Sequence, residues 1–166
     1  MLPEDRVNLA RPKSESDRKM IADVREHGVH VVHVFDPEGK DPEFSYTLGL
    51  WHTYRHPEVL IFGLKRELRH TLLNNLKFAI SNGRSFTDGL SANDALAGYI
   101  CYFQELSKEY LHKYLGRDCW FYDGDDFSAV QMLWPTVDGV YPWDEGASEY
   151  LQQLQPVLTK FLRRVT

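Results

Sequence analysis

The strongest constraint on the fold is the stretch of residues 44–64, in which two short apolar runs flank a polar loop. Residues 44–50 alternate large apolar with small side chains, and residues 59–64 are almost wholly apolar. Alternation with a period of two predicts strands that turn one face toward a core. The polar residues 51–58 between them include two histidines, an arginine and a tryptophan. Because loops on a rigid scaffold often carry function, this stretch predicts two strands with a candidate site between them.

The rest of the pattern predicts a mixture of helices and strands. A helix starting at a Ser14 or Ser16 cap and stopped by Gly28 is expected first, and the clearest helix covers residues 65–82, where leucines recur every four residues. Further strands are expected at 29–35, 99–106 and 129–134, a short helix at 108–115, a loop at 88–94, and a C-terminal helix at 148–165 that Pro156 kinks or restarts. The fold class is therefore α+β, with a small, mainly antiparallel sheet or partial barrel packed by a long central helix and a C-terminal helix.

Length and composition place the chain among single-domain globular proteins. Its 166 residues, 43% of them hydrophobic, suffice for one core. We expect a flexible N-terminal arm at residues 1–13 and one globular domain at 14–166. A net charge of −5 argues against nucleic acid, and the lack of a run of about twenty apolar residues argues against a membrane span. The polar N-terminus shows no signal peptide, so a cytoplasmic location is expected.

Histidines and cysteines do not predict a metal site. His27, His30 and His33 are spaced three apart, but Gly28 interrupts the run, and residues three apart in a strand point to opposite faces. Cys101 and Cys119 lie in apolar surroundings typical of inert thiols. Phosphate-binding loops and a nucleophile elbow are also missing from the sequence. The expectation is therefore no metal, and the cofactor is unknown.

The best catalytic candidates are His56 and Glu58. A loop histidine can act as an acid or base near neutral pH, and positions 56 and 58 of an extended segment point to one side, so Glu58 could orient His56. The alternative is that His56, placed before Pro57, bonds a nearby carbonyl group.

A concave pocket is the default hypothesis for a binding site. We expect Trp51, Trp134 and Trp143 to line it, with Tyr46 and Arg55 supplying polar contacts. Trp143 is equally compatible with a place in the core beneath the C-terminal helix.

Three segments in a characteristic order carry a family resemblance: HVVHVFD at 30–36, FSYTLGLW at 44–51 and HPEVLIFGL at 56–64. Downstream, QMLWP at 131–135 and YPWD at 141–144 complete the pattern. Over about residues 20–145 the chain resembles the bacterial family catalogued as domain of unknown function 4262. The resemblance implies a bacterial cytoplasmic protein and supplies no activity, cofactor or catalytic set.

A looser resemblance concerns fold rather than motif. The succession of strand, small-residue turn, apolar strand and amphipathic helix is similar to the start of flavin-reductase-like split barrels, which bind FMN. That resemblance implies flavin contacts from Ser45, Thr47, Thr53 and Arg55. Fold similarity alone does not establish function.

Three functions are compatible with the sequence. The first is binding of a small molecule, such as a nucleotide or flavin-like ring, at the aromatic and histidine-rich loop. The second is an acidic interaction module, such as an immunity protein or antitoxin, which covers a basic protein partner with the acidic stretches 118–126 and 144–149. The third is a hydrolase without a recognisable motif that uses a histidine as acid or base. Oligomeric state cannot be read from the sequence.

Overall fold

The fold is seen in a computed structural model that describes residues 12–158. The strands are β1 (His30–Val34), β2 (Phe44–Leu48), β3 (Glu58–Phe62), β4 (Ser91–Leu96), β5 (Tyr99–Glu105) and β6 (Ala129–Leu133). The helices of the described part are α1 (Glu15–His27), α2 (Leu50–Tyr54), α3 (Arg66–Ser81), α4 (Lys108–Tyr114), α5 (Gly116–Phe121) and α6 (Glu149–Leu154).

All six strands belong to one open sheet with the order β1-β2-β3-β6-β5-β4. Neighbouring strands run antiparallel except for β3 and β6, which are parallel. The predicted α+β class with a mainly antiparallel sheet is thus confirmed, and the sheet is open rather than curled into a barrel. Strands β3 and β6 lie at its centre and are buried along their whole length.

The sheet separates two hydrophobic cores because side chains alternate between its faces. On β2, Tyr46 and Leu48 contribute to a core shared with α1, α4 and α5. On β3, Val59 and Ile61 contribute to the opposite core, which packs against α3 and α6. The sheet is therefore a central layer covered by helices on both faces.

Helix α1 shows how local sequence fixes an element. The Ser14 hydroxyl accepts a hydrogen bond from the Asp17 backbone, and Gly28 ends the helix in a left-handed conformation at φ 87°. Met20, Ile21 and Val24 form the buried stripe between these signals. The predicted start and stop of this helix are both observed.

The sequence prediction for residues 88–94 was wrong. These residues were expected to form a loop, but residues 91–96 form β4, which pairs with β5 across the two-residue turn Ala97-Gly98. Asn and Asp have low intrinsic β-propensity, and here pairing with the neighbouring strand outweighs that preference. Gly98 adopts the positive φ of 86° that such a tight turn requires.

Two further differences concern the ends of elements. Residues 50–54, expected to belong to a strand end and a loop, form the short helix α2. The C-terminal helix is observed only as Glu149–Leu154, ending before Pro156, which has no backbone N–H to continue it. Residues 159–165 of the predicted helix and residues 1–11 of the predicted arm lie outside the described residues. The division into an arm and a single domain stays a prediction.

None of the helices in the described range has the length and apolar character that crossing a membrane would need.

Candidate functional site

The candidate site is built around Glu58, the first residue of β3, whose side chain is fully buried. Its carboxylate receives backbone N–H groups from the start of α2, which no intrahelical carbonyl can accept. The donors are Gly49 N at 3.0 Å, Leu50 N at 3.0 Å, Trp51 N at 3.3 Å, the Thr47 hydroxyl at 2.8 Å and the Tyr122 hydroxyl at 2.5 Å. Glu58 therefore holds the N-terminus of α2 onto the end of the sheet.

Burial and hydrogen bonding act in opposite directions on this carboxyl group. Burial raises the pKa of Glu58 from its usual 4.5 to about 7, and the hydrogen bonds from Tyr122, Gly49 and Thr47 limit that rise. A carboxylate that accepts several N–H and O–H donors is favoured over the protonated acid, which would turn one oxygen into a competing donor.

His56 lies two residues before Glu58 in the chain, but its side chain forms hydrogen bonds with backbone groups of other residues. Its Nδ1–H donates to the Pro57 carbonyl oxygen at 2.7 Å, and its Nε2 accepts the Phe86 backbone N–H at 2.8 Å. Burial lowers the pKa of the ring, so the neutral form is favoured. Among the described residues no hydrogen bond joins His56 to Glu58. The structure gives His56 the alternative role, bonding to backbone groups.

The polar residues proposed as flavin contacts are tied into the protein. Ser45 is fully buried, and its hydroxyl lies 2.6 Å from His33 Nδ1 and 2.7 Å from the Arg69 Nε that donates to it. Thr47 is also fully buried, and its hydroxyl donates to the Glu58 carboxylate. The Thr53 hydroxyl donates to the Gly28 carbonyl oxygen at 2.7 Å. These hydroxyl groups are therefore engaged within the fold, and the flavin-barrel resemblance finds no support in them.

Arg55 differs, because its side chain is exposed and stacks on an aromatic ring. Its guanidinium carbon lies 5.7 Å from the centre of the Trp51 ring, a cation–π arrangement. Arg55 also caps α2 in a left-handed conformation at φ 55°, which is strained for a residue with a side chain.

The three tryptophans expected in one pocket lie in different places. Trp134 belongs to the core on the α3 side of the sheet, where its indole N–H donates to the Phe62 carbonyl oxygen at 2.8 Å. Trp51 packs against the core on the opposite face. Trp143 is half-buried and stacks on Tyr141 with ring centres 4.7 Å apart. The structure therefore does not bring them together around one cavity.

The residue that sequence reasoning missed is Asp118 on α5. Its side chain is fully buried, and within residues 12–158 neither carboxyl oxygen has a hydrogen-bond partner. Burial raises the pKa of Asp118 well above its usual 3.8, and the nearby Glu58 carboxyl group raises it further. Both causes favour the protonated form of Asp118. It was expected on an acidic surface of residues 118–126, and its burial corrects that expectation.

A signal for Asp118 was present in the sequence. Leu111, Leu115, Asp118 and Tyr122 recur with the spacing of one helix face, so a carboxyl group lies in the middle of an apolar stripe. Charged side chains are almost never fully buried unless they are paired, so such a position marks either a structural bond or a site.

Helix α2 contacts the C-terminal end of α5, the helix that carries Asp118. The His52 backbone N–H donates to the Tyr122 hydroxyl at 3.1 Å, and the rings of His52 and Phe121 lie 5.9 Å apart, edge to face. On the strand side, the Arg117 backbone N–H donates to the Tyr46 hydroxyl at 3.1 Å. These contacts flank Asp118 along the chain and join its helix to α2 and β2.

Two nitrogen donors on these helices are, like the Asp118 carboxyl oxygens, buried without a hydrogen-bond partner in the described residues. The indole Nε1 of Trp51 and the guanidinium Nε of Arg117 are buried atoms without a hydrogen-bond partner in the described part of the chain. Each helix also carries an arginine stacked on a tryptophan, with Arg117 lying 4.5 Å from the Trp120 ring centre. The side chains of Trp51 and Arg117 are only partly buried, so these donors lie close to solvent.

Two surface clefts lie away from this cluster. The larger, of about 530 Å³, is lined by aromatic residues that include Phe44, Phe62 and Tyr114, and contains none of the predicted site residues. The smaller, of about 310 Å³, is lined by Trp143 and Gln155 among others. Across the described residues, no group of three or more His, Cys, Asp or Glu side chains is arranged to hold a metal ion.

Comparison with known proteins adds a family. Residues 23–148 match the sequence model of the family described as domain of unknown function, DUF4262. Searches of curated proteins and of solved structures gave no match. The matched region contains β1 to β6, α2 to α5 and the whole Glu58–Asp118 cluster. Because it covers most of the chain, this protein belongs to the DUF4262 family.

Proposed function

We propose that this protein binds a small planar molecule with an amide-like edge, such as a carboxamide or a nucleobase, at Asp118. The observation that carries the proposal is the Asp118 carboxyl group, which is fully buried and lacks a hydrogen-bond partner on both oxygens within residues 12–158. The Trp51 indole N–H on α2, also buried and unpartnered there, supports it.

Energetics support a polar ligand at this point. An unsatisfied buried polar group costs about 1–3 kcal/mol, so nearly all such groups in folded proteins have a protein or water partner. Within residues 12–158, an acid and two nitrogen donors are left unpaired on two helices that contact each other. A ligand that bonds to them recovers this free energy on binding.

The chemistry of the unpaired atoms suggests the class of ligand. A neutral carboxylic acid presents one O–H donor and one C=O acceptor side by side. An amide or amidine edge presents the complementary acceptor and N–H donor, so the two form a paired hydrogen bond. The indole N–H of Trp51 can donate to a second acceptor on the same ligand, and its ring offers a flat apolar surface.

The acidic-interaction hypothesis has less support from the described residues. Asp118 is buried, and Asp125 is engaged by His112 at 2.9 Å and by Lys108 at 3.6 Å. These contacts leave fewer free carboxylates on this stretch than the sequence pattern indicated.

The proposal is tested by titrating ¹⁵N-labelled protein with acetamide and observing the four tryptophan indole N–H signals by NMR. We expect the Trp51 signal to shift in a saturable manner. The Trp134 indole, which already donates to Phe62, serves as an internal control and stays unchanged. N,N-dimethylacetamide, which lacks N–H donors, is the matched control ligand and should bind at least about tenfold more weakly, as expected for the loss of one hydrogen bond to a buried group.

Asp118→Leu and Asp138→Leu separate the site from general effects, because Asn at position 118 would still present an acceptor and an N–H donor to an amide. Asp118→Leu should abolish the saturable shift of the Trp51 signal. Asp138 is exposed in a turn far along the chain, so its variant should bind acetamide as the unaltered protein does. The proposal is contradicted if the Trp51 signal does not saturate, or if both variants and both amides behave alike.

A further inference from the structure

A second group of reactive side chains lies on the outer side of α4 and α5, next to Asp118 in sequence but facing different partners. Cys119 Sγ lies 3.9 Å from His112 Nδ1, and His112 Nε2 lies 2.9 Å from Asp125 Oδ2. A thiol, an imidazole and a carboxylate therefore follow one another in hydrogen-bonding order. This is the arrangement of a nucleophile, its base and the group that orients the base.

The hydrogen bonds define the tautomer of His112. Hydrogen bonds from His112 and Lys108 lower the pKa of Asp125, which is therefore an acceptor at neutral pH. In its neutral form His112 then donates Nε2–H to Asp125, which leaves the Nδ1 lone pair facing Cys119 Sγ. The Leu111 carbonyl oxygen, 3.6 Å from the same sulfur, is a competing acceptor for the thiol proton.

Exposure makes the group reachable by a substrate. The side chain of His112 is 58% exposed and that of Asp125 is 39% exposed, while Cys119 is partly buried. Burial raises the pKa of the Cys119 thiol, with the Asp125 charge as the second cause. The thiol therefore needs a base to become a nucleophile, and His112 is the base in contact with it.

We propose that Cys119 is a nucleophile that accepts an acyl group from an activated ester or thioester, with His112 as its base and Asp125 as a positioning residue. This acyl-acceptor site is separate from the ligand-binding function proposed above. The two proposals involve different side chains, so one can be wrong while the other is right.

The reaction step balances within the groups named. The Cys119 sulfur forms a bond to the acyl carbon while its proton passes to His112 Nδ1. The bond between the acyl carbon and the leaving oxygen or sulfur then breaks, and the leaving group takes the electron pair together with the proton from His112. The products are an acylated Cys119 and a free alcohol or thiol, with no oxidation or reduction.

The test uses 4-nitrophenyl acetate and the folded protein. We expect release of one equivalent of 4-nitrophenol with an acetyl group located on Cys119 by peptide mass spectrometry. His112→Gln should slow this acetylation about 100-fold, the usual contribution of a general base. The fully buried Cys101 thiol should stay unmodified and reports that the fold is intact.

Matched variants distinguish activation of the Cys119 thiol by His112 from a general effect of changing a surface residue. His27→Gln alters another exposed histidine and should leave the rate unchanged. Asp125→Ala should slow acetylation, and Asp125→Asn should restore part of the rate because its amide oxygen still accepts from His112 Nε2–H. An unmodified Cys119, a slowing of less than about tenfold in His112→Gln, or equal rates in the two Asp125 variants overturns the proposal.

Discussion

At the scale of single residues, Glu58 and Asp118 show how differently one fold treats two buried carboxyl groups. Glu58 receives five donors, three of them from the backbone at the start of α2. Asp118 receives none from the described residues. The first therefore organises a helix end, and the second is a buried acid whose bonding capacity the described residues leave unused.

Replacing Glu58 should be among the most damaging conservative changes in the chain. In Glu58→Gln the amide NH₂ group faces N–H donors, so at least one hydrogen bond becomes a donor–donor clash. We expect the free energy of unfolding to fall by about 3–5 kcal/mol, as when one partner of a buried charged network is removed. Urea denaturation measures it. Glu38→Gln, at a side chain that is 69% exposed, should change it by less than about 0.5 kcal/mol, and similar losses for both would refute this account of Glu58.

Asp118 predicts a dependence of stability on pH. Its pKa is raised in the folded state, so folding favours the protonated acid. That stabilisation is complete below the unfolded pKa, near 3.8, and is lost as the pH rises toward the folded pKa. Asp118→Asn removes the titrating group, so the variant should gain stability relative to the unaltered protein as the pH rises above the unfolded pKa, near 3.8. Urea unfolding across this range checks it, and parallel curves for the two proteins would disprove the raised pKa.

At the scale of elements, the turn from β2 into α2 determines the geometry of the site. Gly49 has φ 120°, and a Cβ added there would lie 2.9 Å from the Gly28 carbonyl oxygen and 3.0 Å from a Val24 methyl group. A side chain at this position would push α2 away from α1 and from Glu58. The start of α2 thus depends on a residue that has no side chain.

Gly49→Ala and Gly39→Ala form a matched pair that tests this dependence. Both glycines have positive φ, but a Cβ at Gly39 meets nothing within 4 Å. Gly39→Ala should cost about 1 kcal/mol from backbone strain alone, and Gly49→Ala at least about 3 kcal/mol because the clash adds to the strain. Thermal unfolding of the two variants gives the comparison. Equal losses would show that the close approach at Gly49 is unimportant.

At the scale of the whole molecule, two buried glutamines attach the segment after α6 to the sheet. The Gln155 amide accepts from the Trp134 backbone N–H and donates to its carbonyl oxygen, both at 2.8 Å. The Gln131 amide donates to the Pro156 carbonyl oxygen at 2.6 Å and accepts from the Leu158 N–H at 3.0 Å. The segment after α6 is thereby held against the end of β6 by side chains that imitate strand pairing.

Gln155→Ala should weaken the attachment of this segment to the sheet. The Trp134 N–H and C=O groups would lose their buried partners, at a cost of about 2–4 kcal/mol. Hydrogen exchange at the Trp134 amide should accelerate at least about tenfold, whereas Gln153→Ala, at an exposed position on the same helix, should leave it unchanged. Unchanged exchange in Gln155→Ala would show that the attachment rests on other contacts.

Features that depend on residues close together in the sequence could be predicted, and features that depend on tertiary contacts could not. Helix α1 was predictable because Ser14 and Gly28 bracket its apolar stripe, and the α+β class followed from strand-like runs around a long helix. Strand β4 was missed because its pairing with β5 is not encoded in its own residues. Asp118 was missed although an apolar stripe surrounds it, because the burial of a carboxyl group is decided by the elements that pack against its helix. His56 and the three tryptophans have suitable chemistry, but their distances and partners are set by tertiary packing.

Infrared difference spectroscopy tests most directly whether Asp118 is a protonated acid that binds an amide-like edge. Subtracting the spectrum of Asp118→Asn from that of the unaltered protein at pH 7 isolates this one carboxyl group. We expect the C=O stretch of a protonated carboxylic acid, which shifts when acetamide is added and forms a hydrogen bond to it. A carboxylate signal in place of that stretch, or a band that acetamide leaves unmoved, would contradict the proposal.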